Sequence, residues 1–325
     1  MMVVTGATGL IGNFLVRQLV QQGHKVRAIS RRDFSAENHS DLTWLQGDLL
    51  DPVFLEEALE GATHVFHCAG LVSYAPQDKE QLYQVNVEGT TNVVNACLAR
   101  PKTRLIHVSS VAAVEKEKNK TEADENAKWD LNGEHSTYAE SKYQAEAEVW
   151  RGIAEGLPAV IVNPSIVLGP GNWNESSTRL FRYVHEEKPF YTPGSANFVD
   201  VRDVVEIMLQ LGFSDISGER FILNGGTLAY EDFFKQVAGC FGKKAPSVKI
   251  GPGLAGVLWR LEHLRSMVTG KRPLITRDTA RVAGKTHIYK NDKVKKILNC
   301  AFRPLEETIA WSCAELKQQH AAARP

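Results

Sequence analysis

Short apolar runs alternate with helix-spaced stretches through the first half of the chain. MMVVT (1–5), KVRAIS (25–30), LTWLQ (42–46), THVFHCA (63–69), RLIHVSS (104–110) and AVIVNPS (159–165) are strand candidates. Between them, residues 10–22, 52–60, 79–99 and 136–156 repeat apolar positions at helical spacing. This alternation predicts parallel βαβ units with right-handed crossovers. The strands are nearly continuous apolar runs, as in a sheet covered on both faces. The expected fold class is α/β: a doubly wound parallel sheet followed by a smaller C-terminal domain.

After NPSIVLGPGN the regular beat stops. NFVDVRDVVEIMLQL (197–211) reads as a strand running into a helix, and GERFILNGG (218–226) as a strand with a turn. Residues 1–170 are expected to form the first domain, completed by 196–224. Residues 171–195 and 225–325 are expected to form the second. GLAGVLWRLEHLRSMVTG (253–270) places Leu254, Val257, Leu258, Leu261, Leu264 and Val268 on one helical face, an amphipathic helix packed on its own domain. The tail KQQHAAARP is expected to fray.

Composition narrows the function classes. The 325 residues carry 38 basic and 38 acidic side chains, so no net field draws the protein to nucleic acid or anionic membrane. No apolar run is long enough to span a bilayer. Five scattered cysteines without a CxxC pair, and an N-terminus lacking the basic and apolar regions of a leader, give a cytoplasmic expectation.

The first strand opens a helix through TGATGLIG. Gly6, Gly9 and Gly12 leave room for a pyrophosphate against backbone, and Thr8, Leu10 and Ile11 bring the first amides of the helix to it. The spacing is GxxGxxG, not the common GxGxxG. The second strand ends at Ser30, where a carboxylate would meet the adenosine ribose, and Arg31 and Arg32 follow. A guanidinium can fork a 2′-phosphate, so NADP(H) is favoured over NAD(H). The alternative is two solvated arginines with Asp33 reaching back to the ribose. Asp48 and Leu49 in GDLLD stand at the edge of the third strand, near an adenine site, whereas Asp51 suits a helix cap. Ala69 and Gly70 end the fourth strand with little bulk. His67 and Cys68 lack further ligands nearby, so no metal is expected.

The fifth strand ends in Ser109 and Ser110, and the next helix begins with Tyr138 and Lys142, one turn apart. Ligands of open α/β sheets bind outside such strand ends. A free phenol titrates near pH 10, too high for a base at neutral pH. A nearby ammonium and an oxidised nicotinamide would favour the phenolate. Ser110 can hold a substrate oxygen, Lys142 the nicotinamide ribose, and Tyr138 can exchange the proton.

In series, TGATGLIG, GDLLD, HCAG, VNVEGTTNVV, HVSS, YAESK and NPSIVLGPG resemble the extended short-chain dehydrogenase/reductase family over the whole Rossmann half. NDKVKKILNCAFRPLEETI resembles that family's C-terminal signature. The resemblance implies a Rossmann domain and a Ser110–Tyr138–Lys142 catalytic set. It also implies a structural Asn at Asn86, whose other reading is a helix N-cap. Pro164 and Val167 would lie in the segment that meets the nicotinamide carboxamide, and a homodimer is implied by analogy. SSVAAVEKEKNK lacks the aromatic–glycine pair of many nucleotide-sugar epimerases. VRAISR and AGLVSYAPQDKEQLYQVNVEGT look closer to the dihydroflavonol-reductase-like and 3β-hydroxysteroid-dehydrogenase-like branches.

The implied activity is hydride transfer between nicotinamide and a carbonyl or secondary alcohol of a small molecule. The alternatives are a nucleotide-sugar epimerase or dehydratase with tightly held NAD, and a non-catalytic cofactor sensor. An epimerase needs a diphosphate cradle, for which Arg179, Arg182, Arg202, Arg260 and Arg281 are candidates. Apolar substrate contacts are expected from Leu71, Val72, Tyr74, Trp173, Phe181 and Phe190.

Overall fold

The computed structural model describes residues 1–115, 121–175, 177–251 and 287–322. The stretch 253–270, with Arg260, and Arg281 lie outside the described residues.

Seven parallel strands form the main sheet. From one edge to the other they run Glu219–Leu223, Ala159–Pro164, Arg104–Val108, His64–His67, Met2–Thr5, Val26–Ser30 and Leu42–Gln46. Strand order reverses between Met2–Thr5 and His64–His67, which pair with Thr5 opposite His67. At that switch point the chain departs to both sides and leaves a crevice beyond the strand ends.

Helices cover both faces, which explains the continuous apolar runs. Along one strand, Val160 and Val162 join the core with Leu15 and Leu19 of helix Leu10–Gln21 and Met208 of helix Val201–Gly212. Ile161 between them joins the opposite core with Leu55, Val94 and Val149. Fully burying each such side chain contributes roughly 1.5–3 kcal/mol.

Glu219–Leu223 enters the main sheet, but Ser195–Asp200 does not. It pairs instead with Ile166–Leu168 and Gly226–Ala229 in a separate three-stranded sheet. The stretch 79–99 is not one regular helix: Lys79–Leu82 is α-helical, Tyr83–Glu88 is a π-helical turn, and Gly89–Leu98 is α-helical again.

A third core lies under the small sheet. Phe198 stacks on Phe233 at 4.8 Å between ring centroids, and Phe181 meets Phe233 edge-on at 5.8 Å. Phe181 is fully buried there. It packs this core rather than a substrate, because its helix Thr178–His185 turns Phe181 and Val184 inward together. Among the described residues, no helix is long and apolar enough to cross a membrane.

Candidate active site

Glycine is obligatory in the first loop. Gly6 has φ +64°, and a Cβ on it would sit 2.5 Å from the Ala69 amide nitrogen. A Cβ on Gly12 would collide with the Gly6 carbonyl oxygen. Helix Leu10–Gln21 then starts at Gly9 without a side-chain cap, so the first amides (Leu10, Ile11, Gly12) and the positive end of the helix dipole face the crevice. Thr8 is exposed beside them. The 167–171 segment closes on this loop: a Cβ on Gly171 would lie 3.2 Å from Leu10 Cδ1. Within it, Val167 pairs with Val199 and its carbonyl accepts the Ser177 hydroxyl, while Pro164 is buried opposite Leu223.

At the end of the second strand, Ser30 is buried and its Oγ accepts the Arg32 N–H at 3.1 Å. Arg31 and Arg32 are exposed and ion-pair with no carboxylate among the described residues; Arg32 lies over the Phe34 ring at 5.6 Å. Asp33 does not reach back. Its Oδ1 accepts the Ser35 N–H at 2.7 Å, and that bond lowers its pKa. Asp48 accepts from Leu50 N, and Leu49 O is held by Asn92 Nδ2 at 2.9 Å. Asp51 caps helix Pro52–Ala58 through Val53 N and Phe54 N, as its position predicts.

The candidate catalytic side chains converge. Helix Thr137–Ala154 starts at Ser136, whose hydroxyl accepts the Ala139 N–H, and buries Tyr138 and Lys142 on one face. Lys142 Nζ donates to Val108 O at 2.9 Å, at the end of the strand that delivers Ser109 and Ser110. A Cβ on Gly70 would lie 3.6 Å from Lys142 Nζ, so the loop after the fourth strand abuts the ammonium. Ser110 Oγ accepts the Ala112 N–H, and its side chain hydrogen-bonds the Tyr138 phenol.

Burial dominates the electrostatics of the protein alone. Burial raises the Tyr138 pKa, and the Ser110 contact only partly opposes this. No lysine effect on the phenol is resolved: Lys142 is itself buried, and desolvation pushes it down to about 8. Glu146 and Cys68 act in the opposite direction on Lys142. The phenol of the protein alone is therefore an acid, suited to giving a proton.

Thr90, Glu146 and Asn163 were missed in sequence. Asn86, expected as a structural residue or a helix N-cap, is not an N-cap. It sits within the π-helical turn, accepts from Leu71 N at 2.7 Å, and donates to Leu71 O and to Ser141 Oγ. Behind it, Thr90 donates to Asn86 O, so His67 Nε2 must donate to Thr90. His67 Nδ1 then accepts from Thr5 Oγ1 at 2.7 Å, and Thr5 Oγ1 accepts from Ala69 N. This chain joins the glycine-loop strand to the Tyr138 helix. Cys68 is partly buried beside it, its thiol pushed up to about 12. Glu146 and Asn163 form a second buried cluster behind Ser109. Their only sequence signal is the position of Glu146, one turn beyond Lys142.

On the open side, Leu71 is half-buried, and Val72 and Tyr74 are exposed. The Tyr74 ring stands edge-on to Tyr138 at 5.6 Å. Tyr289, from the far end of the chain, is buried within electrostatic reach of Tyr74 and Glu115. Trp173 instead lines a cavity of about 280 Å³ with His185, Lys317 and His320. Phe190 is exposed on the short strand Phe190–Tyr191. Of the arginines considered for a diphosphate, Arg182 pairs with Glu186 and Arg202 with Asp200 and Glu307.

A doubly wound sheet with a glycine loop at its switch point, and a serine, tyrosine and lysine beside it, defines a dinucleotide-dependent oxidoreductase. Comparison with known proteins agrees. The pattern of the NAD dependent epimerase/dehydratase family matches residues 2–220. A protein of Synechocystis sp. named putative dihydroflavonol 4-reductase is 29% identical over 94% of this chain and 92% of its own length. Sterol demethylase protein B of Methylococcus capsulatus is 32% identical over 77% of both chains. The crystal structure of gox2253 superimposes with a TM-score of 0.83 at 32% identity, covering 98% of each chain. MoeE5 in complex with UDP-glucose and NAD, 21% identical with a TM-score of 0.78 over 98% of this chain and 99% of its own, shares the fold. The chain belongs to the NAD-dependent epimerase/dehydratase family, in its extended short-chain dehydrogenase/reductase branch, and is an NAD(P)-dependent oxidoreductase of that type.

Proposed function

We propose that the protein reduces the carbonyl of a small, largely apolar molecule, or oxidises the matching secondary alcohol, and prefers NADP(H). The observation that carries this reading is the convergence of Ser110, Tyr138 and Lys142 at the strand ends beside Gly70. The glycine loop fits a dinucleotide: its two collision-limited glycines and uncapped helix amides form a cradle for a pyrophosphate. Residues Gly6 to Gly12, Asp48, Leu49, Ala69, Gly70, Pro164 and Val167 would hold it, with Arg31 and Arg32 on the ribose phosphate. The bound nicotinamide supplies or accepts the hydride.

The chain's own residues handle the oxygen. Ser110 donates its hydroxyl proton to the substrate carbonyl and fixes it in place. Tyr138, held protonated by burial, gives its proton to the forming alkoxide. In the reverse direction its phenolate takes the alcohol proton, and Lys142, as an ammonium, stabilises that anion. Leu71, Val72 and Tyr74 offer the substrate an apolar wall. The absence of a carboxylate at Ser30 and the two exposed arginines support NADP(H). Engagement of Arg182 and Arg202 by carboxylates supports a reductase over a nucleotide-sugar epimerase. Relatives named 2-alkyl-3-oxoalkanoate reductase (Stenotrophomonas maltophilia) and cinnamoyl-CoA reductase 1 (Petunia hybrida) point the same way. Five unpaired cysteines support a cytoplasmic setting.

Calorimetry with NADPH and NADH, followed by a panel of ketones, aldehydes and UDP-sugars read by nicotinamide absorbance, tests the proposal. Tighter NADPH binding and NADPH consumption with a ketone are expected. Binding of neither cofactor would refute it. Co-purified NAD with UDP-sugar conversion and no net cofactor turnover would replace it with the epimerase. Light scattering on the same sample tests the family-style homodimer.

A further inference from the structure

Glu146 is a buried carboxylate that the proposed mechanism does not use. It follows Lys142 by one turn on the same face of helix Thr137–Ala154 and is 2% exposed. Both oxygens are engaged. Oε2 accepts from Ser109 Oγ and from Asn163 Nδ2, each at 2.8 Å. Oε1 accepts from Trp150 Nε1 at 3.3 Å and from Arg220 Nη1 at 3.2 Å. Asn163 Nδ2 also donates to Ser110 O at 3.0 Å. One carboxylate thus ties together the strand end that presents Ser110, the neighbouring strand Ala159–Pro164, the edge strand that carries Arg220, and the helix that carries Tyr138 and Lys142.

The charges around Lys142 are few. His67 and His107 face it from two adjacent strands, and both are neutral because burial disfavours their cationic form. Cys68 faces it from the loop and is a thiol, not a thiolate. Tyr138, on its own helix, is protonated. Among the described residues, Glu146, one turn along the same buried helix face, is the carboxylate that acts on the ammonium, and it also pairs with Arg220.

We propose that Glu146 is a positioning residue of this site: it locks the Ser109–Ser110 strand end and supplies the buried negative charge that keeps Lys142 an ammonium. The positional half rests on the hydrogen bonds alone. The catalytic half rests on the reductase reading given above. A carboxylate that only filled space would need neither the charge nor four donors. Arg220 tempers the field on Lys142 by drawing on the same oxygen. Loss of Glu146's charge leaves Lys142 buried without a counter-ion, and loss of Arg220's charge leaves Glu146 wholly to Lys142.

The first test needs neither cofactor nor substrate. Urea unfolding of the full chain is measured for Glu146→Gln, Lys142→Met and the double variant. Glu146→Gln is expected to raise the unfolding constant about tenfold less in the Lys142→Met background than in the wild type. Additive effects would overturn the charge pairing. The second test uses a ketone that the wild type reduces. The alkaline limb of kcat/KM is expected to move down by about one pH unit in Glu146→Gln and up in Arg220→Gln. Activity lost with both limbs unmoved would overturn the proposal. Where Glu146→Gln does not fold, the upward shift in Arg220→Gln decides the matter. A chain that binds neither NADPH nor NADH yet shows the coupled unfolding would sink the reductase reading and leave the pairing of Glu146 with Lys142 standing.

Discussion

Asn86 holds the backbone of Leu71 from both sides, accepting its N–H at 2.7 Å and donating to its carbonyl at 3.0 Å. The same amide reaches Ser141, next to Lys142. The loop that follows the fourth strand is therefore latched to the Tyr138 helix. Asn86→Ala leaves partly buried backbone groups of Leu71 unpaired and should cost about 1 kcal/mol of stability. Urea unfolding measures this, and calorimetry should show weaker nicotinamide binding in parallel. Unchanged stability would mean that the latch is redundant.

Lys142 gives a pH signature with a definite sign. Its folded pKa, about 8, lies below its ordinary 10.5 because burial disfavours the charge. Between those values the unfolded chain binds a proton that the folded chain has released, so this residue adds stability as pH rises through the window. Below about pH 8 both states hold the proton and its contribution is flat. The midpoint of the wild type, relative to Lys142→Met, should climb from about pH 8 to 10.5. A constant difference would refute the depressed value. Carbonyl reduction should fall over the lower part of the same window as the ammonium is lost.

The NADP(H) preference proposed above rests on the charges of Arg31 and Arg32. Replacing both with glutamine should weaken NADPH binding by about ten- to a hundredfold and NADH binding by less than about threefold. Equal losses for the two cofactors would assign the arginines to the general field rather than to the 2′-phosphate.

Gly12→Ala drives a methyl group into the Gly6 carbonyl oxygen. Backbone has to move, at a cost of about 1–3 kcal/mol, and dinucleotide affinity should fall further than stability does. Gly23→Ala provides the contrast: Gly23 has φ +78° but nothing within 4 Å, so its strain is confined to a distant turn. Normal NADPH affinity in Gly12→Ala would argue against this loop as the phosphate site.

The main sheet was legible because its strands are buried on both faces. A run such as AVIV has no polar position to confuse the period, and Ala159–Pro164 matches it. The glycine loop, Asp51 as a cap and the Tyr138–Lys142 pair were legible because each depends on local geometry. What was not legible depends on distant partners. The π-helical turn at Tyr83–Glu88 carries Asn86, whose amide is satisfied by Leu71 and Ser141 across the fold, and no periodicity announces that. Ser195–Asp200 looks like any apolar strand, and only its pairing with Ile166–Leu168 and Gly226–Ala229 sends it to the second sheet. Phe181 was expected to touch substrate, and its packing on Phe233 puts it in the core. The raised phenol pKa of the protein alone was not legible, because the burial of Tyr138 and Lys142 is invisible in the sequence.

The one-way order of donors around His67 has a further consequence. Each ring nitrogen already has a fixed duty, and full burial drives the imidazole down to about 3. At any physiological acidity this ring is a spacer between Thr5 and Thr90, not a titrating group. A histidine beside a reaction centre invites the part of proton carrier, yet here it is a silent strut.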